Sequence, residues 1–502
     1  MIRLEVKFHT NTCQCLKKAV SQVQNQEQTQ ELRLPESMPD IGNVLGAWGQ
    51  VVIRGKEWRT GEMGVNGGVL AWVAYMPEDG SQVRSVETWI PFQMRWELPQ
   101  TQRDGSICVM PLLNGVDARS TSARKLIVRA NVSILGEALE PIEPEVCCPG
   151  QIPEDVQVLK KSYPTEVPVE AGEKLFEVDE ELVLPGNLPQ VQQILRFSLM
   201  PEVLEQKVMA GRLVFRGKNM LHLLYIDASG EIHSWDHEIP FSQFTELDKD
   251  HSAHAKAWIM VLNTGAELDL QEGNKLNLKA SMAAQYVIYD CTMLEVAQDA
   301  YSPKRSVEIQ TQSWDGPIRL EQRTDTLRLE HTAQLPCLKV VDISWLPEHP
   351  ACKCNGDMAE ITAHGQFQIL YYDEDGNLQC TNTRTDMQWD IPTDPDNMIC
   401  AYLRPDLQQQ VQLGPDTVSI SGNVILETSV FSQQGIPMIR AMELGEWKQE
   451  NVNRPSLILR RTGTESLWEI AKECGSTVDA ICKVNQIDGE PESERLLLIP
   501  VS

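Results

Sequence analysis

One nine-residue element occurs twice in this 502-residue chain, and a shorter form of it occurs a third time. The full copies run from Glu31 to Pro39 and, 150 positions later, from Glu181 to Pro189. The short copy is Gln334–Cys337. Similarity at a constant offset indicates one structural module used in series. Such a chain is more often a scaffold than an enzyme with a single active site.

Each copy continues with a pattern that is typical of a β-hairpin. A glycine opens an apolar run that ends in tyrosine, and an acidic turn that ends in glycine follows. The runs are Gly67–Tyr75, Gly217–Tyr225 and Gly365–Tyr372, and their turns end at Gly80, Gly230 and Gly376. The return strand ends in Ile90-Pro91-Phe92 and Ile239-Pro240-Phe241, where the third copy has Met387-Gln388-Trp389.

Farther along each copy, apolar and polar residues alternate strictly. Such alternation predicts a strand with one buried face, and helical spacing is nearly absent from the three copies. We therefore predict a mainly β chain of three tandem antiparallel modules, each a sandwich or an open barrel. The apolar positions are Leu126, Val128, Ala130, Val132 and Ile134, then Leu276, Leu278, Ala280, Met282 and Ala284, then Val418, Ile420, Gly422, Val424 and Leu426.

The repeat and its proline-rich, acidic joins predict the domain boundaries. The glutamine-rich tract from Gln22 to Gln30 is interpreted as an exposed helix end or a linker. The expected divisions are an N-terminal segment 1–30, β modules 31–145, 176–312 and 313–446, a linker 146–175 between the first two modules, and a small domain 455–501.

Charge and apolar content exclude several classes of function. The chain has 71 acidic and 44 basic residues, a formal net charge of −27, and this field repels nucleic acid. We expect no signal peptide and no transmembrane segment, because the start of the chain is polar and no apolar run is long enough to span a bilayer. The thirteen cysteines are then expected to be reduced thiols in a cytosol.

No motif predicts catalysis or a cofactor. Gly211–Lys218 resembles a phosphate loop, but five residues separate its glycines and Asn219 stands where Ser or Thr would hold magnesium. Copy one has a similar run from Gly49 to Lys56, and both are interpreted as strands. No Gly-x-Ser-x-Gly elbow is present either, so we expect the protein not to be an enzyme.

No motif predicts a metal site. The pairs Cys13/Cys15 and Cys352/Cys354 would each need two further ligands to hold zinc. Free thiols are the simpler interpretation. The second copy carries a group of histidines that we interpret as solvent-facing strand residues: His222, His233, His237, His251 and His254.

The C-terminal 45 residues or so have a different pattern. A short strand, Leu457–Arg460, precedes a capping box of Ser466 and Glu469 that begins a helix, and Gly475 ends this helix. Ser476 is predicted to begin a second helix, and Leu496–Pro500 closes the segment as a strand. The predicted order is βααβ.

This segment resembles a LysM domain through Leu467-Trp468, Ile470-Ala471-Lys472, Asn485 and Leu498-Ile499-Pro500. It departs from the family pattern because Thr464 replaces the loop glycine and the Pro-Gly-Gln before the last strand is missing. In LysM domains the loop after strand one and the loop after helix two form a groove for N-acetylglucosamine chains. The resemblance implies a partner- or glycan-binding site at Thr464, Glu465, Ser466, Asn485, Gln486, Ile487 and Asp488.

Tandem β modules with these marks, closed by one LysM domain, resemble the SipL family of spore-coat assembly proteins, whose repeats are SPOCS domains. The resemblance implies a non-enzymatic scaffold in the mother-cell cytosol, at the surface of the developing spore. Its LysM domain would bind the coat morphogenetic ATPase, and its β modules would bind other coat proteins. The alternatives are a protein that binds peptidoglycan-type glycans through its LysM domain and an unrecognised hydrolase that uses acidic residues.

Overall fold

The computed structural model describes residues 4–6, 8–99, 104–272, 274–405, 409–448, 455–491 and 494–501. Strands dominate these residues, and all of their pairings are antiparallel, so the prediction of a mainly β chain is confirmed. Neither helix in the described part of the chain has the length and apolar content to cross a membrane.

Three successive sets of strands share one pairing scheme, and we call them units 1, 2 and 3. In each unit the first strand pairs with the last and the last with the fifth, while strands two, three and four form a second sheet. Unit 1 comprises β3 (Cys15–Arg33), β4 (Ile41–Arg59), β5 (Glu62–Pro77), β6 (Arg84–Glu97), β7 (Ser106–Ser122) and β8 (Lys125–Ile142). Unit 2 comprises β10 (Gln157–Val183), β11 (Gln193–Met209), β12 (Arg212–Ile226), β13 (Ile232–Glu246), β14 (Lys256–Leu270) and β15 (Lys275–Tyr301).

Unit 3 follows the same scheme with two of its strands divided. Its second strand is split into β18 and β19, and its fifth into β22 and β23. It comprises β17 (Ile318–Gln334), β18 (Lys339–Pro347), β19 (Ala351–Asn355), β20 (Met358–Tyr372), β21 (Leu378–Pro392), β22 (Asn397–Pro405), β23 (Gln410–Leu413) and β24 (Thr417–Ser432). The other strands outside the C-terminal segment are β1 (Leu4–Val6), β2 (Phe8–Thr12), β9 (Glu145–Pro149), β16 (Arg305–Trp314) and β25 (Ile436–Trp447).

The two sheets of each unit pack face to face around a core of their own. The last strand supplies much of that core. Its alternating apolar residues, such as Leu126 in β8, Leu276 in β15 and Val418 in β24, are buried as the period-two pattern predicted.

The repeated Leu-Pro element closes one end of each unit. The Leu34 N–H donates to the carbonyl oxygen of Arg124 at 3.0 Å, directly before the last strand begins. Leu184 and Leu335 form the same bond in units 2 and 3, at 2.9 Å each. The Leu-Pro element recurs in the sequence because it fixes the chain where it passes from the first sheet of a unit to the second.

The repeated tyrosine completes this closure in two of the units. The Tyr75 hydroxyl donates to the carbonyl oxygen of Pro39 at 3.0 Å, and the Tyr225 hydroxyl donates to that of Pro189 at 3.1 Å. Both rings are buried. The bond explains why the tyrosine recurs at a fixed distance after the Leu-Pro element.

The glycine of the hairpin and the Ile-Pro-Phe phenylalanine are cross-strand partners. In unit 2, Phe241 pairs with Gly217, where an added Cβ would lie 2.0 Å from a backbone oxygen and 2.7 Å from the ring. In unit 3 the repeated tyrosine is Tyr371, and the same spacing places Ala363 where unit 2 has Gly217. The cross-strand partner of Ala363 is Met387, which therefore takes the place of Phe241. The expectation that Gly365 is the third copy of this glycine is therefore wrong by two residues.

The strands cross two of the expected boundaries. The strand β3 runs through Gln22–Gln30 and pairs with β8 along its length, so the interpretation of this tract as a helix end or linker is wrong. Similarly, β10 begins at Gln157, inside the expected linker 146–175, and pairs with β15. Both are edge strands of their sheets. Polar side chains on such strands hide the apolar alternation that marks a strand in sequence.

The three units close into a ring through their second sheets. Here β6 contacts β11, β13 contacts β18, and β21 contacts β4, so unit 1 meets unit 2, unit 2 meets unit 3, and unit 3 meets unit 1. One apolar cluster at this junction takes equivalent residues from all three units. Its members are Leu45, Leu195 and Val341 from the second strands, Ala74, Leu224 and Leu370 from the third, and Val83, Ile232 and Leu378 from the fourth.

A buried ion pair lies next to this cluster. Directly after the second-strand residue of the cluster, the chain has Gly46 in unit 1, Arg196 in unit 2 and Asp342 in unit 3. Arg196 and Asp342 form a salt bridge, and their side chains are only 6% and 4% exposed. His222 Nε2 lies 3.0 Å from the Asp342 carboxylate. Burial alone raises the pKa of Asp342, but the Arg196 charge and the His222 hydrogen bond outweigh it and hold that pKa well below its usual range.

A second set of contacts joins the first sheets of the units. The Lys18 ammonium of unit 1 lies 5.0 Å from the centre of the Phe431 ring in unit 3. The Arg319 guanidinium of unit 3 lies 3.4 Å from the centre of the Tyr289 ring in unit 2. In unit 2 the strand register places Pro168 at the position that Lys18 has in unit 1 and Arg319 has in unit 3. Cation–π contacts of desolvated groups stabilise such junctions.

We predict that Asp342→Ala lowers the free energy of unfolding by about 3–5 kcal/mol, because it leaves the Arg196 charge buried without its partner. The matched control is Glu330→Ala, which removes the carboxylate of an exposed pair with Arg328 at 2.7 Å and should cost no more than about 0.5 kcal/mol. Urea unfolding measures both. Equal losses in the two variants would contradict a junction that depends on the buried pair.

Candidate functional site

The C-terminal segment, residues 455–491 and 494–501, folds around its own small core. It contains β26 (Leu457–Arg461), α1 (Leu467–Cys474), α2 (Val478–Asn485) and β27 (Leu496–Pro500), and the two strands pair antiparallel. The buried residues of this core include Leu467, Ile470, Ile481, Leu497 and Ile499.

The ends of both helices are fixed by side chains. The Ser466 Oγ accepts from the Glu469 N–H at 3.3 Å while the Glu469 carboxylate accepts from the Ser466 N–H at 2.8 Å, so the predicted capping box is confirmed. Gly475 ends α1 at φ 64°, in the left-handed region. The second helix begins after Thr477, whose hydroxyl accepts from a backbone N–H, and not at Ser476, which is buried.

The fold brings the two loops of the expected site together. The Leu467 N–H, at the start of α1, donates to the Glu490 carboxylate at 2.8 Å. Glu490 lies in the loop after α2, and a carboxylate at a helix N-terminus is stabilised by the helix dipole. Thr464, Glu465 and Ser466 therefore lie beside the loop that continues from Gln486.

Most of the expected site residues already have partners within the segment. Glu465 pairs with Arg460 at 3.0 Å, and its own backbone N–H together with Arg460 lowers the pKa of its carboxyl group. The Asn485 side chain bonds both the N–H and the carbonyl oxygen of Leu498, at 2.8 and 2.6 Å. Gln486 ends α2 with φ 52°, and Ile487 packs against the core. Thr464, Gln486 and Asp488 are exposed.

The helix side of the segment is bound to unit 2. The Trp468 indole N–H donates to Asp299 at 2.8 Å, and the Lys472 ammonium lies 2.7 Å from the same carboxylate. The Trp468 ring packs edge-on against Tyr301, with centroids 4.8 Å apart, and the Tyr301 hydroxyl donates to the carbonyl oxygen of Ser476 at 2.9 Å. Burial raises the pKa of Tyr301 to about 12, so this hydroxyl keeps its proton at neutral pH.

Sequence reasoning did not find Asp299 and Tyr301. They stand at the end of β15, more than 150 positions before Trp468. Nothing in a strand pattern marks a residue as a partner for a helix so distant in the chain. The one available signal was Trp468 itself, a large aromatic residue at a helix start in a segment too small to bury it alone.

Two histidines of unit 2 contact carboxylates and are not simply solvent-facing. His251 is buried and lies 2.9 Å from the Glu170 carboxylate, and His222 bridges Asp236 and Asp342. The interpretation of these two as solvent-facing strand residues is therefore wrong. Within the described ranges, no group of three or more His, Cys, Asp or Glu residues is placed to hold a metal ion, and none of the thirteen cysteines is joined in a disulfide.

The run that resembles a phosphate loop is a hairpin. Gly211 forms the turn at φ 65°, and the residues from Arg212 to Lys218 belong to β12. The strand interpretation is confirmed. The similar run from Gly49 to Lys56 lies in β4, which corresponds to β11 and not to β12.

We predict that Asp299→Ala loosens the contact between the C-terminal segment and unit 2 while both parts stay folded. A hydrogen bond to a charged group contributes about 1.5–3 kcal/mol, so amide hydrogens of α1 should exchange at least about tenfold faster. Hydrogen exchange with mass spectrometry measures this, with Asp269→Ala on β14 as the control. Unchanged exchange in α1 would show that the contact contributes little.

Comparison with known proteins identifies one part of the chain. Residues 190–268 match the family model described as SipL, SPOCS domain. No curated protein and no solved structure matches the chain. The match includes β11, β12 and β13 and most of β14, which are strands two to five of unit 2, and the C-terminal segment lies outside it. The part of the chain that forms unit 2 is therefore similar to the SipL SPOCS domain.

Proposed function

We propose that the protein is a non-enzymatic scaffold in endospore coat assembly, located in the mother-cell cytosol at the forespore surface. In this proposal the C-terminal segment is a LysM domain that binds a coat morphogenetic ATPase, and the three units bind other coat proteins. The observation that carries the proposal is the SPOCS match in unit 2, since the name of that family points to a sporulation role.

The state of the two loops favours a protein partner over a glycan. Glu490 occupies the start of α1, and the polar groups of Glu465 and Asn485 are bonded within the segment. Sugar rings are usually held by an aromatic face. Trp468 is the sole aromatic residue from position 455 to position 501, and its ring packs on Tyr301.

One cavity in the described part of the chain does not resemble an active site. It has about 240 Å³ and lies between units 1 and 3, where amide side chains such as Asn131 and Gln368 line it. Its carboxylates, Glu27 and Asp117, lie 3.5 and 3.4 Å from Arg129, and its lining residues include no Ser, Cys, His, Lys or Tyr. The lining of this cavity therefore offers amide, carboxylate and guanidinium groups but no hydroxyl, thiol or imidazole group.

The ring of units supports a role in multivalent assembly. Three similar units fixed in one body present three similar outer surfaces. Several weak contacts on one body raise the overall affinity through effective concentration.

We predict that Glu465→Lys and Ile487→Glu each weaken binding of the full-length chain to a purified coat morphogenetic ATPase by about tenfold or more, which corresponds to about 1.4 kcal/mol. Both residues lie in the loops expected to contact the partner. Biolayer interferometry measures the affinity, chitin oligomers are the second ligand, and Lys279→Glu on unit 2 is the charge-reversal control.

Unfolding of a variant is checked by circular dichroism and by hydrogen exchange in α1. Binding of chitin oligomers without binding of the ATPase would contradict the scaffold proposal and favour a glycan-binding protein. An ATPase affinity that stays unchanged in both variants would show that the two loops are not the contact.

A further inference from the structure

The strand pair of the C-terminal segment has an apolar outer face. Side chains alternate across the ribbon, so Ile458, Leu497 and Ile499 face the helices while another set faces outward. We call the outward set the leucine face: Leu457, Leu459, Leu496 and Leu498, which are 48%, 60%, 54% and 38% exposed.

These leucines form one patch rather than scattered exposures. Leu459 and Leu498 are direct cross-strand partners, and Leu457 stands opposite Pro500. Single exposed apolar residues are normal on protein surfaces, whereas a contiguous set rimmed by polar groups marks an interaction surface. A two-stranded ribbon needs only one apolar face to pack on its helices, so the second apolar face has no role in folding the segment.

The rest of the chain leaves this face open because it binds the opposite side of the segment. The helices cover the inner face of the ribbon, and α1 is bound in turn to Asp299 and Tyr301 of unit 2. The contact with unit 2 therefore fixes the segment with its leucines directed outward.

The charges beside the leucine face select its partner. Arg461 shares the outward face and stands opposite Leu496, and the exposed Arg495 lies at the end of the ribbon, directly before Leu496. Among the residues that the structure describes, neither arginine forms an ion pair, whereas Arg460, on the inner side, is paired with Glu465 and Glu473. Two such cations in a chain of net charge −27 favour a partner surface that carries carboxylates.

The same charges disfavour other occupants. A second copy packed face to face would present leucines and arginines but no carboxylate from its two ribbon strands, so Arg461 and Arg495 would gain no opposite charge from them. A glycan would find no aromatic ring on this face.

We propose that the leucine face docks an acidic amphipathic segment of a partner protein, with apolar side chains on the leucines and carboxylates on Arg461 and Arg495. The proposal rests on the proposed function in that it places the scaffold's partner contact on the C-terminal segment. It adds a second partner contact on the outer face of the ribbon, a surface distinct from the two loops.

The test uses the full-length chain, three variants and two probes. The face variant is Leu459→Glu with Leu498→Glu, and the charge variant is Arg461→Glu with Arg495→Glu. The matched control is Leu175→Glu, because Leu175 also lies on a strand and is 65% exposed. The probes are the purified coat morphogenetic ATPase and a synthetic helical peptide with a leucine stripe and glutamates elsewhere, compared with the same peptide carrying lysines.

We expect the wild type and the control to bind both the ATPase and the acidic peptide. The face variant should bind each at least about tenfold more weakly. The wild type should prefer the acidic peptide over the lysine peptide by about tenfold or more, and the charge variant should reverse this preference. Calorimetry measures the affinities, and thermal melting of each variant checks that it is folded.

The outcomes separate this inference from the proposed function. The wild type could fail to bind the ATPase and still bind the acidic peptide more tightly than the face variant does. In that case the proposed function is wrong, and the inference that the leucine face binds an acidic segment is supported. A face variant that binds every probe within about twofold of the wild type, or a wild type that binds neither probe, overturns the inference. A wild type that dimerises in sedimentation while the face variant stays monomeric assigns the face to a second copy and also overturns it.

Discussion

Three β-bulges at one equivalent position hold the ring together. The pairing register skips one residue at the same position in the second strand of each unit, and these residues are Leu45, Leu195 and Val341. A bulge turns its side chain away from the normal alternation of the strand. Here all three side chains enter one apolar cluster, so the contact that joins the units depends on an irregularity that each unit repeats.

The position after each bulge breaks the symmetry of the ring. Three like charges at one buried junction would have no opposite charge to pair with. The chain instead carries Gly46, Arg196 and Asp342 there. A buried ion pair contributes little net stability compared with apolar packing, but each charge strongly requires its partner. We infer that this pair fixes which unit meets which, while the apolar cluster provides the stabilising contact. The C-terminal segment then attaches to unit 2 through Asp299, so its position follows from that of the ring.

Local features of the fold could be predicted from the sequence, and contacts between units could not. The turn glycines Gly80, Gly230 and Gly376 all have positive φ, as a repeated tight turn requires. The capping box of α1 is likewise a short-range pattern. Edge strands were missed because β3 carries glutamines where an apolar alternation would have revealed it. The partners Trp468 and Asp299, or Arg196 and Asp342, lie too far apart in the chain for any periodicity to connect them.

The buried ion pair and the position of the C-terminal segment both require that the three units form one closed body and not a flexible row of separate domains. Small-angle X-ray scattering of the unmodified chain tests this directly. A closed ring with a docked C-terminal segment predicts a radius of gyration close to the value of about 23 Å expected for a compact chain of 502 residues. A value above about 30 Å, with separate maxima in the distance distribution, would contradict the ring.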